Sequence, residues 1–96
     1  MNITKTTTED LALENSFGTI REENGVQMNI SVHVQSNKNY GSFEMYDEET
    51  GGEEWYAEGG LWFEGKELVD YDGVFALSPS IIQILEENGY DASYAK

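Results

Sequence analysis

Between Val26 and Gln35 the chain alternates without a break: Val26, Met28, Ile30, Val32 and Val34 are apolar, and Gln27, Asn29, Ser31, His33 and Gln35 are polar. Period two is the pattern of a strand with one buried and one wet face, whereas a helix would scatter the same apolar residues around its circumference. A strand of this kind belongs in an antiparallel sheet that keeps one face open to solvent. The rest of the chain has to be arranged around such a sheet.

The flanks supply its neighbours. Phe17, Thr19, Ile20 and Arg21 lead into Glu23-Asn24-Gly25, a hairpin turn signal whose glycine accepts positive φ. Ser36-Asn37-Lys38-Asn39 reads as a second turn, and Tyr40 to Tyr46 as a third strand with Phe43 and Met45 on one face and Glu44 and Tyr46 on the other. After a loop from Asp47 to Glu53, Trp55, Ala57, Leu61 and Phe63 share parity, opposite to Glu54, Tyr56, Glu58, Trp62 and Glu64. This fourth strand is expected to bulge or bend at Gly59-Gly60. Glu64-Gly65-Lys66 turns it into a short fifth strand, Leu68 to Tyr71. Parity assigns Phe43, Trp55 and Phe63 to the core and leaves Tyr46, Tyr56 and Trp62 for a contact surface.

Local chemistry specifies a helix near the C-terminus. Ser78 suits the N-cap, Pro79 the first helical position, and Gly89 a left-handed C-cap that folds Tyr90 back on Leu85. Ile81, Ile82, Ile84 and Leu85 give this helix a broad apolar stripe to lay across the sheet. Residues 1–15 read either as a short helix capped by Thr6 to Thr8 or as a frayed terminus. The expected class is α+β: one domain, with an antiparallel meander of four to five strands over residues 16–72 and a helix over 78–89 on one face.

Composition narrows what such a domain can do. A chain of 96 residues without cysteine has no disulfide scaffold, thiolate metal site or cysteine nucleophile. No apolar run approaches the roughly 20 residues of a membrane span, and the N-terminal residues lack the basic start and apolar segment of a signal peptide, so a cytoplasmic protein is expected. At 39% hydrophobic and 12% aromatic residues the chain carries enough apolar surface to fold. Its net charge of -14 repels nucleic acid and acidic membranes as direct partners.

That charge is local. The 29 residues from Glu44 to Asp72 hold 11 acids against Lys66 alone, while the remaining 67 hold 8 acids and 4 bases. Crowding like charges in a sheet destabilises it, and mixed charges would solubilise the protein without that cost. Tyr46, Tyr56 and Trp62 are interleaved with Glu44, Glu54, Glu58 and Glu64. Carboxylates suit the guanidinium fork and aromatic faces suit cations, so the combination fits a basic protein surface. The candidate partner-binding residues are Glu44, Tyr46, Asp47, Glu48, Glu49, Glu53, Glu54, Tyr56, Glu58, Trp62, Glu64, Asp70 and Asp72. A surface that binds DNA is itself a basic groove, which a rigid carboxylate array can occupy in place of DNA. A solvated, merely solubilising face is the plain alternative.

Other chemistries find fewer carriers. Asp47, Glu49, Gly52 and Glu58 fall at positions 1, 3, 6 and 12 of a calcium-binding loop, but Gly51 stands at position 5 and the flanks read as strands. A divalent-metal or carboxylate-based site between Asp47 and Glu58 is therefore the competing reading. His33 is the only histidine and lies on the polar side of its strand, and no serine sits in a nucleophile elbow or phosphate loop. No enzymatic activity and no cofactor are expected. The exposed aromatics or an edge strand offer a route to a homodimer.

The run Tyr40-Gly41-Ser42-Phe43-Glu44-Met45-Tyr46, followed by acids and glycines and then by Gly73-Val74 leading to Pro79-Ser80-Ile81-Ile82, resembles the order of elements in small acidic anti-CRISPR proteins. These are encoded by phages and mobile elements and inhibit type I CRISPR surveillance complexes. The resemblance spans residues 40–85, and the first 40 residues have no counterpart in it. It implies an acidic face that occupies the DNA-recognition groove of the surveillance complex, with Glu44 and the acids just after Tyr46 at the contact. On the residues alone, an immunity protein or antitoxin against a basic nuclease fits the same surface.

Overall fold

The structure, a computed structural model, describes residues 14–35 and 38–96. Five strands, β1 (Glu14–Glu23), β2 (Val26–Gln35), β3 (Tyr40–Asp47), β4 (Tyr56–Glu64) and β5 (Glu67–Tyr71), pair antiparallel in chain order. A helix, α1 (Pro79–Glu87), follows, and a 3-10 turn spans Ser93–Ala95. The architecture is the expected α+β meander. Of residues 1–15, read as a short helix or a frayed end, Glu14 and Asn15 open β1 instead, while 1–13 lie outside the described residues, as do residues 36 and 37 of the second turn.

Turn chemistry sets the register. Glu23 pairs with Val26, so the β1–β2 hairpin closes through Asn24 and Gly25 alone, both at positive φ (56° and 82°). Two successive positive φ values are what a type I′ turn demands, and Asn-Gly is the dipeptide that supplies them most readily. From this turn the alternation of β2 places Met28, Ile30, Val32 and Val34 on one face, where all are buried. Phe43 and Met45 of β3, Leu61 and Phe63 of β4 and Leu68 of β5 complete that face.

α1 covers it. Ile81, Ile82, Ile84 and Leu85 are buried in the same cluster, together with Leu77 before the helix and Tyr90 after it. Ser78 caps the N-terminus by accepting from the Ser80 N–H at 3.1 Å, and Pro79 occupies the first turn. Glu23 of β1 reaches the same end, accepting from the Ser78 hydroxyl and placing a negative charge where the helix dipole favours one. At the other end Gly89 takes φ 91°, the Tyr90 N–H donates to the Leu85 carbonyl at 3.0 Å and the Gly89 N–H to Glu86 at 3.2 Å, the paired bonds of a Schellman motif. Arg21 of β1 pairs with Glu87 at 2.6 Å. The chain then returns to β5, where Asp91 bridges to Glu67 and exchanges bonds of 2.8 Å with Lys66 and Leu68. That bridge occupies part of the β5 edge.

Two details depart from expectation. Trp55 is not a core residue: it precedes β4, stands in the loop and is 44% exposed. The irregularity in β4 and β5 lies at Trp62/Phe63, which pair with Asp70 and Leu68 and leave Val69 as the extra residue, not at Gly59-Gly60. Those glycines serve a different need: a Cβ on Gly59 would stand 2.0 Å from the Asp72 carbonyl oxygen. Among the described residues no helix is long and apolar enough to cross a membrane.

Candidate functional site

The open face of the sheet, opposite α1, carries the site. Its centre is the β3–β4 pair, in which Tyr46 faces Tyr56, Glu44 faces Glu58, Ser42 faces Gly60 and Tyr40 faces Trp62. Directly opposed residues in an antiparallel pair have Cα atoms roughly 4.5–5.5 Å apart, so Glu44 and Glu58 are like charges at nearest-neighbour distance. Tyr56 relieves the repulsion. Its hydroxyl lies 2.7 Å from Glu44 Oε2 and 3.0 Å from Glu58 Oε1, sharing one proton between two carboxylates. The hydrogen bond to Glu44, followed by burial, the bond to Glu58 and the two nearby charges, holds this phenol protonated well above its ordinary range.

Next to the acid pair lies a shallow cleft of about 420 Å³, bordered by His33, Tyr40, Ser42, Glu44, Glu58 and Gly59. Tyr40 of this border meets Trp62 edge to face with ring centroids 5.5 Å apart, and the Trp62 ring leans over Gly60. The sequence assigned no role to Tyr40; its pairing with Trp62 across the strands could have been found only with the register. His33 stays on the polar face, where its Nδ1 lies 2.8 Å from Ser16 Oγ.

The remaining predicted residues are dispersed. On the same open face Glu64 is opposed by Glu67, a second like-charge pair, and Asp70 by Trp62. Glu48 leaves β3 toward this face and accepts from Asn29 Nδ2 at 3.0 Å. Glu49, Glu53 and Glu54 are exposed in the loop between β3 and β4, off the sheet. Asp72 is exposed, with one carboxylate oxygen committed to the Gly60 N–H at 2.7 Å. Tyr46 is half-buried beneath Gly52 of the loop.

Asp47 does not belong to this surface. It is 4% exposed and shares the parity of Phe43 and Met45, so it points to the helix side of the sheet. There it organises the loop: Oδ2 accepts from the Thr50 N–H at 3.0 Å and from the Thr50 hydroxyl, and Oδ1 from the Trp55 N–H at 3.0 Å. Those bonds, the Thr50 hydroxyl first, hold its carboxyl below the ordinary value of 3.8. They also separate Asp47 from Glu58, which lies on the opposite face, so the calcium-loop spacing does not converge on one point. Among the described residues no three acidic or histidine side chains gather as metal ligands.

Asp47→Asn should therefore lower Tm by roughly 10 °C at pH 7, because an amide presents an N–H where Thr50 or Trp55 already donates. A carboxyl with a depressed folded-state value stabilises the fold above its unfolded value near 3.8, and that contribution disappears as pH falls through the folded-state value. The gap between wild type and variant in urea denaturation should be full at pH 7 and close below about pH 4. Taking the difference removes the general relief of acid repulsion at low pH, which both proteins share.

One fully exposed apolar residue was missed. Phe75, in the loop from β5 to α1, buries none of its side chain against the described residues. It has no periodicity to betray it; the only sequence signal is an aromatic between Gly73 and Pro79, outside any element. Comparison of the chain with protein-family models, curated proteins and solved structures gave no match.

Proposed function

We propose that the protein is a non-enzymatic inhibitor whose open face docks on a basic, nucleic-acid-binding protein and excludes the nucleic acid from it. The observation that supports this most is the Glu44–Tyr56–Glu58 cluster: two like charges held directly opposite each other, exposed, with neither of the described ion pairs neutralising them. The fold gains nothing from that opposition. A guanidinium between the two carboxylates would turn repulsion into attraction, and the Tyr40–Trp62 pair alongside offers ring faces to the next cation.

Like-charge rows on adjacent strands also give the face a fixed spacing, which a mobile acidic tail lacks. Long-range attraction would speed encounter, while the desolvated acid pair and aromatics would set the rate of release. The resemblance over residues 40–85 directs the first test to a type I CRISPR surveillance complex in the cytoplasm of a bacterial host, and the same chemistry makes a basic nuclease the second.

The test is a competition. Purified complex or nuclease, preincubated with excess protein, should lose binding to its duplex DNA in a mobility-shift assay, and the loss should weaken steeply as salt is raised. DNA binding left intact at all ratios and at low salt by both targets would remove these two partners. Inhibition that needs a divalent cation would instead favour the metal reading.

A further inference from the structure

On the other side of the sheet, at its hairpin end, a notch of about 300 Å³ opens between the β1–β2 turn and the loop preceding β4. Val26 and Met28 supply apolar lining, and Trp55, Glu23, Glu54 and Asp47 the rest. The register explains the grouping: Val26 is opposite Glu23, Met28 is opposite Asp47, and Asp47 holds the backbone of Trp55. Trp55 and Val26 are each 44% exposed, so the apolar lining is open to an occupant.

Its chemistry selects that occupant. The carboxylates of Asp47 and Glu23 are engaged with Thr50 and Ser78, while the Glu54 side chain has no hydrogen bond to the described residues. An anion is repelled by three acids, a neutral apolar group leaves Glu54 without a partner, and a hydrated metal ion makes no use of an indole and two aliphatic side chains. Arginine satisfies all three elements: its methylene stem suits Val26 and Met28, its guanidinium plane stacks on an indole, and its N–H fork matches a carboxylate. Of the described cations, Arg21, Lys66 and Lys96 are engaged elsewhere, with Glu87, the Tyr90 ring and Glu86, and Lys38 lies between β2 and β3, at the end of β2 away from Val26. We infer that this notch is a docking site for an arginine side chain of a protein partner, separate from the acid pair on the open face.

The isolated protein tests it without any partner. Two-dimensional NMR of the nitrogen-15-labelled chain, titrated with acetyl-triarginine-amide, resolves the Trp55 and Trp62 indoles separately. The Trp55 indole and the Val26 and Met28 amides should shift along one saturating curve, Glu54→Gln should weaken that curve roughly threefold, and acetyl-trilysine-amide should bind more weakly than triarginine. Glu44→Gln with Glu58→Gln should leave the Trp55 curve unchanged, so failure of the notch and failure of the open face are distinguishable. Shifts confined to the Trp62 side, a Trp55 response indifferent to Glu54→Gln, or equal binding of the two peptides would each overturn the assignment. Glu54 is exposed, so its substitution leaves the fold in place as an internal control.

Discussion

Glu44→Lys should weaken capture of a basic partner while leaving the protein as stable as before, or more so, and combined with Glu58→Lys it should reduce capture at least 100-fold. The two effects point in opposite directions because the pair is a local conflict. Each carboxylate faces the other across β3 and β4, and the Tyr56 hydroxyl bridges them. Glu44→Lys alone puts an ammonium opposite Glu58 and converts a repulsive cross-strand pair into an attractive one, so a modest rise in Tm is expected. For a guanidinium on the partner the same change is a loss of a charge-assisted bond and the gain of a repelling neighbour. A substitution that stabilises the fold and removes binding marks a residue retained for recognition.

Bulk charge is controlled by placement. Glu86→Lys with Glu87→Lys on α1 shifts the net charge equally, from -14 to -10, on the side away from the open face, at the cost of two exposed ion pairs. If non-specific attraction drives capture, the two double variants should weaken it alike, mainly through slower association. If the open face is the contact, only the Glu44 and Glu58 pair should raise the dissociation rate steeply, as surface plasmon resonance would read directly. Equal losses would remove this face from the proposal.

What could be read in advance followed the range of the interactions. Asn24-Gly25, the alternation of β2, Ser78-Pro79 and Gly89 all act over a few residues, and each element they specify is present. Glu44, Tyr56, Glu58 and Trp62 were placed on one face by the same local parity. Asp47 carried its own signal, since it shares parity with Phe43 and Met45, but a carboxylate reads as surface until the donors of Thr50 and Trp55 are seen to satisfy it. Trp55 escapes the parity of β4 because it lies before the strand; its backbone is held by Asp47, eight residues earlier. The notch at Trp55 and the rim at Tyr40 depend on which strands meet, and that is decided by the assembled sheet.

The glycine just after β5 carries the other large prediction: Gly73→Ala should destabilise the protein by about 3 kcal/mol or more, enough to lower Tm by roughly 15 °C or to prevent folding. Residues 72 and 73 cross β4 in close contact, with the Asp72 N–H donating to the Gly60 carbonyl at 3.1 Å. A Cβ on Gly73 would lie 2.1 Å from the Glu58 carbonyl oxygen and 2.6 Å from the Gly59 Cα, both backbone atoms that a rotamer change cannot move. Its φ of 91° adds strain for any residue with a side chain. Gly51→Ala separates the two contributions, because Gly51 has φ 68° but nothing within 4 Å of an added Cβ, and it should cost only about 1 kcal/mol. Similar costs for the two variants in urea denaturation would mean that the crossing is loose. The crossing matters to the site because it presses on the backbone of Glu58 itself. A Gly73→Ala protein that still folds must push β4 away from residues 72–73, shift Glu58 relative to Glu44 and Tyr56, and lose partner capture although no charged residue has changed.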